Sequence, residues 1–126
     1  MKTDVPVVIP VLPELQKAID AMPASDHLTY LTTERGKAFS AAGFGNRFRE
    51  MCDEAGIPAG YAAHGLRKAA ATRHADNGAT AHELMAWFGW NALKEAERYT
   101  RAADRKRLAA GMVAKLATRT GTGKPE

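Results

Sequence analysis

The 126-residue chain is 45% hydrophobic and 25% charged, ordinary values for one globular domain. No apolar run approaches the ~20 residues of a membrane span, and a single cysteine, Cys52, excludes an internal disulfide. The net charge of +4 is unevenly spread: residues 93–126 hold nine Lys/Arg against four Asp/Glu, and the preceding residues hold nine against ten. Such asymmetry suits a polyanion partner, most simply nucleic acid, although on charge alone a solvated basic tail explains it equally well. No signal-peptide pattern opens the chain, and one thiol fits a reducing compartment, so a cytoplasmic place is expected.

The elements follow in chain order. "VPVVIPVL" (residues 5–12) is predicted as a short strand, demoted by its prolines to an edge or an end. Pro13 opens a helix at its first position, with Leu15, Ala18, Ile19 and Met22 at helical spacing and Pro23 as the stop. "HLTYLT" (residues 27–32) is a second short strand, and "TERGK" a turn. Ser40 is the expected N-cap of a helix to about Ala55, with Phe44, Phe48, Met51 and Cys52 as its buried stripe. Gly56 and Pro58 end that helix.

A third helix is predicted over residues 64–76, closed by Asn77-Gly78. Thr80 and Glu83 form a capping box for a fourth, whose apolar face is Leu84, Met85, Trp87 and Phe88 and whose end is Gly89. A short helix over residues 92–98 and a final one over 103–116 complete the pattern. The expected domain spans residues 1–117, followed by a flexible tail at 118–126. The fold class is mainly α with a small β element.

Few residues are suited to chemistry. His64 and Arg67 are three apart and share a helix face. Arginine offers a fork of donors suited to phosphate, and histidine can pass a proton. Taken alone, H-x-x-R also fits an ordinary helix surface. Trp90 carries an N–H donor, and taken alone also fits a core aromatic. Tyr99 sits among Glu97, Arg98 and Arg101, a poor setting for a core residue. A phenol at neutral pH is ionised in only about one molecule in a thousand, so a nucleophilic tyrosine needs cations or a base beside it. Tyr30 and Tyr61 fit a strand and a loop. His27, His74 and His82 share no ligand spacing with Cys or carboxylates, so no metal is expected. No glycine-rich loop follows a strand, so no nucleotide cofactor is expected. Cys52 is expected as an inert buried thiol.

Taken together, "HGLRK", then "FGW", then "ERYTRAADRKRLA" resembles the C-terminal half of the catalytic domain of tyrosine recombinases, the phage integrase family. In that family H-x-x-R precedes Gly-His or Gly-Trp by roughly 25 residues, and the nucleophilic tyrosine follows about 9 later. Here the separations are 26 and 9 residues. "FGNRFREMCDEAGIP", "HGLRKAAATRHADNGAT" and "LKEAERYT" also resemble the family.

The resemblance implies a partial catalytic domain of the DNA breaking-rejoining type, acting on double-stranded DNA at the nucleoid. It implies that Tyr99 attacks the scissile phosphate, giving a 3′-phosphotyrosyl link and a free 5′-hydroxyl. Arg67 would hold nonbridging oxygens, His64 would move a proton at the tyrosine, and Trp90 would donate its N–H to phosphate. "KTDVPVVIPVLPEL" is similar to the family's lysine hairpin segment, which makes Lys2 the general acid for the leaving 5′-oxygen. Lys68, Arg98 and Arg101 are the expected DNA contacts. The C-terminal helix, through Leu108, Met112 and Leu116, is expected either to dock on another protomer or to pack within its own.

The family also uses a first arginine upstream of the lysine hairpin. Arg35 and Arg47 follow that hairpin and do not match its place. A truncated form, weak or inactive alone, is therefore expected, with a DNA-binding or recombinase-interacting remnant as the alternative. A helix-turn-helix regulator built on "TRHADNGATAHELMAWFG" lacks a basic base-reading face on its second helix.

Overall fold

The structure, a computed structural model, describes residues 5–119. Lys2 lies outside the described residues. The described chain is mainly helical: α1 (Pro13–Asp20), α2 (Ala41–Glu54), α3 (Ala63–Asp76), α4 (Ala81–Phe88) and α5 (Leu93–Arg119). It divides into two compact units, residues 9–67 and residues 68–119 with 5–8.

In residues 9–67, Pro13 begins α1 without a side-chain cap, as a residue lacking an N–H can. α2 is better specified. Ser40 accepts the Gly43 N–H at 3.0 Å. Phe39, just before the cap, meets Phe44 in the second turn edge-on at 5.9 Å, a hydrophobic staple that fixes the entry of the chain. Arg47 pairs with Glu50 and Glu54 along the helix. At its end, Gly56 adopts φ 73° and Ile57 donates to the Cys52 carbonyl at 2.9 Å, the left-handed termination that glycine permits. Of the predicted stripe, Cys52 is buried, Phe44 and Phe48 are half-buried, and Met51 is exposed.

Neither predicted strand forms among the described residues. Residues 5–12 are irregular; Pro6 and Pro10 have no N–H to give a ladder, and no strand pairs with them. Residues 27–32 are likewise irregular, with Leu28, Tyr30 and Leu31 exposed. The sheet content is one bridge, Thr32 to Ala38, across the predicted turn, where Thr33 donates to the Lys37 carbonyl at 2.7 Å.

In the second unit, α3 ends where Asn77-Gly78 was expected to close it. Gly78 has φ 96° and Ala79 donates back to the His74 carbonyl at 3.0 Å. Both bonds of the α4 capping box are present: Glu83 N–H to Thr80 Oγ1 at 3.1 Å, and Thr80 N–H to Glu83 Oε2 at 2.7 Å. α4 packs against α5. The core is Ala71 and Ala75 of α3, Leu84 and Phe88 of α4, and Ala96 and Ala103 of α5. Small alanines on two helices let the backbones approach while Leu84 and Phe88 fill the space between.

The two predicted C-terminal helices are one. α5 runs unbroken from Leu93 to Arg119, because residues 99–102 contain neither Gly nor Pro and offer pairs such as Glu97–Arg101 at 3.0 Å along the helix. It passes the boundary expected at residue 117; the rest of the expected tail, residues 120–126, lies outside the described residues.

Candidate active site

α4 ends in a left-handed glycine, Gly89, with φ 70°. A Cβ there would meet Val7 Cγ2 at 2.7 Å, so the position needs glycine on two grounds, backbone angle and close approach. The turn continues with Trp90, whose backbone N–H donates to the Met85 carbonyl at 3.1 Å and leaves the indole N–H out of that bond. The "FGW" motif is thus a helix terminus that delivers an indole at a fixed place.

That place is beside Tyr99. The Trp90 and Tyr99 rings are stacked, centroids 5.4 Å apart and planes within 7°. Trp90 also stacks on Phe88 at 4.9 Å and 21°. Behind Phe88, His74 of α3 meets it edge-on at 5.9 Å and lies 5.3 Å from the Trp87 ring. Tyr99 is half-buried and packed on the core cluster. The expectation that it is badly placed for a core therefore gives way. Its charged neighbours in sequence face elsewhere, while Ala96 and Ala103, three before and four after, share its face and are buried. That 3-and-4 spacing is the sequence signal for the packing of Tyr99.

The cations of α5 separate by face. Lys94, Arg98, Arg101 and Arg105 recur at helical spacing and line an open groove on the exposed side, continuing to Leu108. Lys106 reaches Asp76 at 3.5 Å, and Arg107 pairs with Asp104 at 3.4 Å and meets the Ala75 carbonyl at 3.5 Å. Lys106 and Arg107 thus tie α5 to α3 or to itself. Beyond them Leu108, Met112 and Leu116 are all more than half exposed.

His64 and Arg67 lie in the first two turns of α3, exposed and on one face, within the unit of residues 9–67. Lys68 is exposed on the same helix. Trp90 and Tyr99 belong to the other unit, where their rings stack. Phe88 and His74 have no place in the sequence-based site, yet they back the Trp90–Tyr99 pair. No group of three His, Cys, Asp or Glu is gathered for a metal ion among the described residues. No described helix is long and apolar enough to cross a membrane.

A mainly helical chain with this aromatic pair is consistent with part of a tyrosine-recombinase catalytic domain. The model of the Phage integrase family matches residues 2–106, and the chain belongs to that family. Membership carries DNA recombination and integration as its general activity, and DNA as its partner. No curated protein and no solved structure matches the chain.

Proposed function

We propose that this chain serves site-specific DNA strand exchange by transesterification at Tyr99. The Tyr99 Oη–phosphorus bond forms as the phosphorus–O5′ bond breaks, leaving a 3′-phosphotyrosyl link. His64 takes the phenol proton, and Lys2 gives one to the departing 5′-oxygen. Arg67 and the Trp90 N–H hold the nonbridging oxygens, where charge builds in the transition state. Lys68, Arg98 and Arg101 contact flanking phosphates. No step calls for a metal, since these residues supply both the protons and the anion stabilisation.

The observation that carries this reading is the family match over residues 2–106, which spans Lys2, His64, Arg67, Trp90 and Tyr99. The test is a duplex nicked next to the scissile phosphate, so that strand release traps the intermediate. A weakly active chain still accumulates a denaturation-resistant protein–DNA adduct on this trapping substrate, and Tyr99→Phe is expected to lose it while still binding DNA. An adduct that survives Tyr99→Phe excludes Tyr99 as the nucleophile.

A second reading is favoured by the exposed face of α5, where Lys94, Arg98, Arg101 and Arg105 are followed by exposed Leu108, Met112 and Leu116. Here the chain binds DNA, and a recombinase protomer through the apolar end of α5, without cutting. It gives salt-dependent DNA affinity with no adduct in the same assay.

A further inference from the structure

The aromatic ring behind Trp90 points to a role outside the five proposed catalytic residues. We infer that Phe88 is a positioning residue for Tyr99, acting through Trp90. This rests on the reading of Tyr99 as the nucleophile.

A phenol on a helix can swing about two side-chain torsions. Attack on phosphorus needs its oxygen held near the reacting atom and in line with the leaving oxygen. Tyr99 is restrained by the face of Trp90, with planes within 7°. Trp90 sits in the turn after α4 rather than on a helix, so its own ring needs support. Phe88 supplies it: only 8% exposed, fixed in the core at the end of α4, and stacked on the indole at 4.9 Å. His74 closes the other end of the row, edge-on to Phe88 at 5.9 Å. The row therefore runs from the core to the nucleophile.

The middle ring must do two things. It must offer enough face to stack on two neighbours, and it must keep an N–H at its edge for phosphate. A bicyclic indole does both. A smaller donor ring at position 90 would keep the donor and give up part of the stack.

The experiment uses the full chain. Ring-proton NMR signals of Tyr99, assigned by their loss in Tyr99→Phe, are expected upfield because the ring lies on an indole face. Phe88→Leu is expected to move them towards the values of a free tyrosine. The rate of adduct formation at saturating nicked DNA should fall about tenfold, with the half-saturating DNA concentration within about twofold of wild type. Phe88→Tyr, which keeps the aromatic face, should restore both the signals and the rate. Circular dichroism fixes a temperature at which each variant is folded, and Phe88→Met, whose unbranched side chain adapts better to the space left, replaces Phe88→Leu if that variant does not fold.

Unchanged Tyr99 signals in Phe88→Leu overturn the inference. So does a loss confined to DNA affinity, with the saturating rate intact. An adduct that survives Tyr99→Phe removes the nucleophile reading instead; where the wild-type chain forms no adduct, the Tyr99 signals decide the positioning by themselves.

Discussion

Residues 68–119 bury Ala71, Ala75, Leu84, Phe88, Ala96 and Ala103 in one cluster, whereas among the described residues of 9–67 only Cys52 is buried. The proposed site draws on both kinds of surroundings. Tyr99 and Trp90 are placed by packing, since their rings rest on each other and on the cluster. His64 and Arg67 are placed by the backbone of α3, with side chains exposed. The difference teaches where remote substitutions matter. A change several residues away can displace a ring held by its neighbours, whereas an exposed side chain depends first on the helix that carries it.

The strongest way to break the comparison is to truncate one large apolar side chain in each unit in turn. Leu84 is 1% exposed and the largest fully buried side chain, so Leu84→Ala removes packed methyl groups and leaves a cavity. A loss of about 3 kcal/mol is expected. Met51 is 51% exposed, and Met51→Ala should cost less than about 1 kcal/mol. Both tryptophans lie in the unit of residues 68–119, so fluorescence-detected urea unfolding reports on that unit. Amide hydrogen exchange in α2 reports on the other. Equal losses from the two substitutions would contradict the packing difference.

A milder pair makes the same chemical edit in both units. Thr80 and Ser40 each accept a backbone N–H at the start of a helix, at 3.1 and 3.0 Å. Thr80→Ala also undoes the reciprocal capping box and should cost about 1 kcal/mol in the fluorescence transition. Ser40→Ala should instead speed amide exchange at the start of α2 and leave the fluorescence transition in place. Coupled shifts in both readouts from either variant would show the two units unfolding together.

Local chemistry explains what the sequence made legible. Ser40, Thr80 with Glu83, Asn77-Gly78 and Gly89 each fix a helix end within a few residues, and all four mark ends that the structure shows. The order of H-x-x-R, Gly-Trp and Tyr is likewise a property of spacing, and it led to the family. Three features needed non-local information. Residues 5–12 carry strand-like composition, but strand formation depends on a partner's backbone. The expected helices over 92–98 and 103–116 are one, since a helix stops only where something interrupts its hydrogen bonds. The charged neighbours Glu97, Arg98 and Arg101 suggest an exposed Tyr99, while its packing follows from Ala96 and Ala103 on its own face. The stack with Phe88 and Trp90 joins the end of α4 to the second turn of α5, a pairing that periodicity within either helix does not contain.

The smallest expected effect on stability separates charge used for binding from charge used for folding. Arg101 pairs with Glu97 at 3.0 Å, yet its side chain is 74% exposed and lies on the face away from the core. Such a pair is screened by water and salt, so Arg101→Gln should change stability by less than about 0.5 kcal/mol. If Arg101 neutralises a DNA phosphate, the same variant should lower the slope of log affinity against log salt by about one unit. The change should be alike across DNA sequences, since phosphate contacts carry no base information. Lys106, tied to Asp76, provides the contrast. That pair is also largely exposed, so Lys106→Gln should likewise change stability by less than about 0.5 kcal/mol, and it should leave the salt slope as it is. A normal salt slope in Arg101→Gln would remove Arg101 from the DNA-contacting set and leave it as half of a surface ion pair.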